Sequence, residues 1–196
     1  MRLVKDLKQG SLHVHSIGGK VNIYTISSFS FGNALVDVLD KKSRLSGFFI
    51  WNDGDGKFLS YLEPTCKLQR NLSKDDLKNI DYFPANIGIP IFSHKAKSLF
   101  ECKGITELSL YKCLLDGEGE SIYLCKVNNY LPIIDNEKTI FRKLTDGTKL
   151  IDIPAYKCDA EFYIARDAVF CERMVVSQKF VDLCNEGGLN IHFMKC

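Results

Sequence analysis

One pattern occurs twice in this chain and limits what it can fold into more than any other feature. Residues 91–105, IFSHKAKSLFECKGI, align without gaps to residues 175–189, VVSQKFVDLCNEGGL. With one residue skipped, Glu107 to Cys113 continue against Asn190 to Cys196. Each copy has the same physical reading. Two apolar residues end a strand, and Ser93 or Ser177 caps a helix of about ten residues by accepting a bond from an otherwise orphan backbone N–H. Leu99 or Leu183 lies on the buried helix face, Gly104 or Gly188 supplies the positive φ that stops the helix, and an alternating strand follows. Capping accounts for both serines, and neither stands in a GxSxG nucleophile turn.

The rest of the chain is read around these two units. Val21 to Ile26 alternates as a strand. Asn33 followed by Leu35, Val38 and Leu39 has helix spacing, so a helix capped by Asn33 is expected to end before Gly47. Phe48 to Trp51 and Lys57 to Leu62 are β-rich and flank Asn52-Asp53-Gly54-Asp55-Gly56, which predicts a hairpin rather than a calcium loop. A short helix capped by Ser73 and the prolines 64, 84 and 90 make residues 63–86 linker-like. Two more hairpins follow, Ser109 to Cys113 with Ser121 to Val127, and Thr139 to Leu144 with Lys149 to Ile153. Glu161 to Ala165 reads as a further strand. The fold class is therefore α+β, with an antiparallel or mixed sheet, several hairpins, a few short helices and an internal duplication. An N-terminal lobe over 1–86 and a C-terminal lobe over 87–196, or one continuous domain, are expected.

Chemistry is sparse. The eight cysteines include no CxxC pair, and the chain is long enough for a real core, so reduced, buried thiols are expected. His13 and His15 alternate on one strand face without a second ligand pair, which reads as exposed histidines rather than zinc ligands. There is no GxxxxGK[ST] and no HExxH. A Cys/His hydrolase built on His94 and one of the cysteines is the enzyme alternative, and a generic ligand-binding or adaptor module is the other. A net charge of +2 excludes neither, but lacks the strong basic balance of a nucleic-acid binder. No apolar run follows the basic residues of MRLVKDLKQG, and none reaches the length that spans a bilayer, so the expectation is a cytoplasmic protein with no membrane or nucleic-acid partner and no cofactor.

From Tyr82 onward the chain resembles a bacterial immunity-protein family of polymorphic toxin systems. The likeness is carried by the two apolar-apolar-Ser-helix-Gly-strand segments, by Ile122 to Asp135 and by the strand Thr139 to Arg142. The chain departs at Gly187-Gly188-Leu189-Asn190, where the family often shows Thr-Gly and an apolar residue. The resemblance implies a non-enzymatic protein that binds and neutralises a toxin domain encoded beside it. Such a binder needs anchors and complementary charge, not a catalytic group. Many toxin domains have basic clefts, so the glycine-spaced acidic hairpin tip, Asp116, Glu118 and Glu120, is the expected contact.

Overall fold

The computed structural model describes residues 21–27, 35–39, 42–68, 78–115 and 121–196. In chain order these hold β1 (Ile23–Ser27), β2 (Val36–Val38), α1 (Lys42–Phe49), a 3-10 turn (Lys57–Ser60), β3 (Thr65–Leu68), β4 (Ile91–Phe92), α2 (His94–Cys102), β5 (Leu108–Leu115), β6 (Ser121–Val127) and β7 (Tyr130–Leu131). There follow β8 (Ile140–Lys143), β9 (Lys149–Ile153), β10 (Ile164–Asp167), β11 (Met174–Ser177), α3 (Gln178–Glu186) and β12 (His192–Lys195). The fold is α+β, as the alternation of hairpins and short helices predicts. One sheet has the order β12-β1-β11-β10-β7, the second β2-β3-β5-β6-β4, and β8-β9 form a separate ribbon. Among the described strand pairs, β7 with β10 and β3 with β5 run parallel and the others antiparallel.

The repeat folds into two matched units. In the first, β4 pairs with β6 and β6 with β5; in the second, β11 pairs with β1 and β1 with β12. The match extends one strand upstream of the aligned residues. Tyr82 bridges Phe92 as Ile164 pairs with Val176, and Ser93 N–H donates to the Asp81 carbonyl as Ser177 N–H donates to that of Tyr163. In the first unit the middle strand follows directly by a hairpin, whereas in the second it is supplied by β1 from the start of the chain.

Equivalent positions of the two copies build one core. Phe92, Ala96, Phe100, Ile105 and Leu108 meet Val176, Phe180, Cys184, Leu189 and Ile191 there, and the rings of Phe100 and Phe180 lie 5.3 Å apart. Gly104 and Gly188 take φ of 63° and 62°, as helix stops of this kind require. Gly187 has a different role: a Cβ there would stand 2.3 Å from a Leu99 methyl, so its bare backbone lets the end of α3 close on α2. β6 is buried on both faces, packing Ile122 and Leu124 against α1 and Cys125 and Val127 against the helix pair. That explains its nearly continuous apolar run.

Three local expectations are corrected. Val36–Val38 is a strand paired to β3, not helix, because its two β-branched residues alternate into the core around exposed-side Asp37. The helix lies further on, at Lys42–Phe49, and contains Gly47. Leu45, Phe48 and Phe49 are the true i, i+3, i+4 set and are all buried. No hairpin forms around residues 52–56: the segment is a loop from α1 into the 3-10 turn, with Asn52, Gly54 and Gly56 at positive φ. The strand expected at 161–165 sits later, at Ile164–Asp167. His13, His15, Asn33 and Ser73 lie outside the described residues.

Candidate functional site

The chain between the two units forms a projecting ribbon with no counterpart in the repeat. Ile133 accepts from Lys157 N–H, Asp135 N–H donates to Ala155, and Ile134 bridges Tyr156, so the ladder starts well before β8 and β9. Its turn is closed by Asp146, whose carboxylate accepts Thr148 N–H at 2.8 Å, and by Gly147 at φ 89°. This is the third hairpin the sequence predicts.

Two buried carboxylates hold the base rigid. Asp167, at the end of β10, accepts Ile133 and Ile134 N–H on one oxygen at 3.0 and 2.9 Å, and Val169 and Phe170 N–H on the other at 2.9 and 2.8 Å. One side chain thus ties the foot of the ribbon to the β10-β11 turn. Asp135 accepts Glu137 N–H and faces Lys157 at 3.5 Å and Lys138 at 4.0 Å. Burial pushes its carboxyl up, but the Glu137 amide and the two ammonium groups outweigh this and hold it below the ordinary carboxylate value. Beside Asp167, Arg166 is fully buried and donates to the Cys171 and Gly88 carbonyls at 2.8 and 2.7 Å. It joins the same turn to the first unit.

The ribbon's two faces differ. Phe141 and Ile151 are paired and half-buried, and Phe141 packs on Phe170 at 5.8 Å between ring centres. On the outward face Ile140, Leu144, Leu150 and Ile153 are exposed by 53, 40, 40 and 59%, with Arg142 among them. Val169, at the tip of the neighbouring turn, is 79% exposed. A groove of about 510 Å³ runs between that turn and the ribbon, lined by Arg142, Leu150, Ile151, Phe170 and Arg173 among others. Such an array on a firmly anchored element is suited to binding another macromolecule.

The sequence-predicted contact residues Asp116, Glu118 and Glu120 lie outside the described residues. The strands on either side of them, β5 and β6, pair antiparallel as far as Leu114 with Ser121. The exposed ribbon face was legible only as a β-hairpin, because alternation along a strand does not tell which face a neighbour covers.

Of the residues that the hydrolase alternative would use, His94 opens α2 and Cys102 ends it. The His94 ring meets the Tyr123 hydroxyl at 3.1 Å. All eight cysteines are free, but only Cys66, Cys113, Cys125 and Cys184 are buried as expected; Cys102 and Cys196 are exposed and Cys158 and Cys171 partly so. Burial pushes the Cys125 and Cys184 thiols up to about 12, opposite to the lowered value of a reactive thiolate. Among the described residues no group of three or more His, Cys, Asp or Glu is placed to hold a metal ion, and no helix is long and apolar enough to cross a membrane. Compared with models of known protein families and with curated protein sequences, the chain matches none.

Proposed function

We propose that this chain is an immunity protein of a bacterial polymorphic toxin system. It acts by binding the toxin domain encoded beside it, in the cytoplasm of the producing cell, without catalysis or a cofactor. The observation that carries the reading is the twice-used apolar-apolar-Ser-helix-Gly-strand segment on which the family resemblance rests. The anchored ribbon with an exposed apolar face supports it as well, since a binder needs a preorganised surface more than a pocket. Co-expression is the test. Cells producing the neighbouring toxin should survive when this chain is present, and the two proteins should copurify. Death despite soluble expression, with no complex recovered, overturns the proposal.

A further inference from the structure

Cys66 on β3 and Cys113 on β5 are fully buried, and their sulfur atoms meet 2.7 Å apart. The strand pairing brings them there. β3 runs parallel to β5 through Thr65 with Leu114 and Cys66 with Leu115, so Cys113, two residues before Leu115, shares the sheet face of Cys66. A disulfide needs sulfurs about 2 Å apart, which two side chains already in contact reach by small rotations. The place matters to the fold as well. β2 pairs with the outer side of β3, so the short β3-β5 pairing is what joins this edge of the sheet to the first repeat unit.

We propose that Cys66 and Cys113 form a reversible, peroxide-responsive disulfide that locks β3 onto β5. The surroundings select the oxidant. Both thiols belong to the apolar core around α1, so a reagent must be small and uncharged to enter while the short β3-β5 pairing opens, and hydrogen peroxide is both. One sulfur attacks a peroxide oxygen, the O–O bond breaks, and the other oxygen leaves as water, giving a sulfenic acid. The second sulfur then attacks the first. That step forms the S–S bond and releases a second water, so two thiols give up two electrons and one peroxide becomes two waters. In reducing surroundings the pair stays open, as cytoplasmic disulfides of mesophiles are transient and redox-sensing. Closure links positions 47 residues apart in the chain, and a cross-link of that span stabilises the fold by restricting the unfolded state.

The test treats the folded wild-type protein with dilute hydrogen peroxide, quenches it, then unfolds and alkylates it. Proteolysis should yield a linked peptide holding Cys66 and Cys113, about 2 Da lighter than its two parts together and lost on adding reductant. Oxidation should raise the melting temperature by about 5 to 10 °C, and reduction should return it. Cys66→Ala and Cys113→Ala should show no such rise. The linked peptide is read in the wild type, so it decides the matter even if a variant folds poorly. Both residues still alkylated at a dose that oxidises the exposed Cys102 and Cys196 overturns the proposal. So does a link that forms only in urea, a bond from either residue to a different cysteine, or an irreversible sulfinic acid at either position. A linked peptide with an unchanged melting temperature overturns the lock on β3.

Discussion

The two copies of the repeat begin their helices with the same residue and use it differently. Ser93 accepts Ala96 N–H at 3.1 Å and donates its own proton to Asp81, so the hydroxyl is oriented as a cap. Ser177 occupies the same place but donates to the Phe162 carbonyl and caps nothing with its side chain. The cause is the residue opposite. Asp81 stands in the first unit where Tyr163 stands in the second, and without a carboxylate to take its proton the second hydroxyl turns to the nearest carbonyl. After the helices the asymmetry reverses. Glu107 accepts Tyr163 and Ile164 N–H at 2.7 and 2.8 Å, while its counterpart Asn190 donates its own N–H to Asp81 at 2.8 Å. Each unit therefore ties its helix exit to the strand entry of the other, one by a donor and one by an acceptor. Two copies of one pattern can hold the same geometry with different bonds, provided each buried polar group finds a partner.

Substitution in the shared core should have the largest effect. Phe180 and Ala96 are equivalent positions, and Phe180→Ala should cost about 3 to 5 kcal/mol, whereas Ala96→Phe costs about 1 to 3 by overpacking. The double change should cost less than the sum, as measured by denaturant melts, because both side chains enter one core. Full additivity would mean that the two units do not share it.

Next come the cross-ties. Glu107→Ala and Asp81→Ala should each lose about 1.5 to 3 kcal/mol, the range for hydrogen bonds to a charged group. Protection of the Tyr163 amide should fall only in the first variant, and that of the Asn190 amide only in the second. Loss of both amides in either variant would replace the picture of two separate ties with one cooperative unit.

The serines sharpen the contrast at smaller cost. Ser93→Ala should lower stability by about 0.5 to 2 kcal/mol and speed exchange at the Ala96 amide. Ser177→Ala should cost about 1 kcal/mol through the abandoned Phe162 carbonyl and leave the first turn of α3 unchanged. Equal fraying of both helices would show that the second serine caps in solution.

The smallest effect belongs to the ribbon, which has no partner in the duplicated frame. Asp135 has its folded value held below the ordinary 3.8, so its contribution is fully present above that value and is lost as pH falls through the lower folded one. Protection of the Glu137 amide should follow that acid transition while the helix cores stay protected. Asp135→Asn should remove the pH dependence, and an unchanged transition in that variant would assign it to another carboxylate.

What the sequence by itself determined was local. The repeat, the glycine stops at 104 and 188, the antiparallel pairing of β5 with β6 and the hairpin closed near residue 146 were legible because dihedral preference and side-chain period act within a few residues. Residues 33–51 misled for the same reason. Leu35, Val38 and Leu39 fit a helix stripe as well as a strand, and only the open edge of β3 made the segment containing Val36 and Val38 extended. Tertiary structure alone decided that β1 would complete the second unit, that Ser177 would turn away from its helix, and that Gly187 would lie against the Leu99 side chain. It also decided which face of the β8-β9 ribbon stays open. Alternation gives a strand two faces, and only a neighbour brought from far along the chain, here the turn tied down by Asp167, covers one and leaves Ile140, Leu150 and Ile153 on the other.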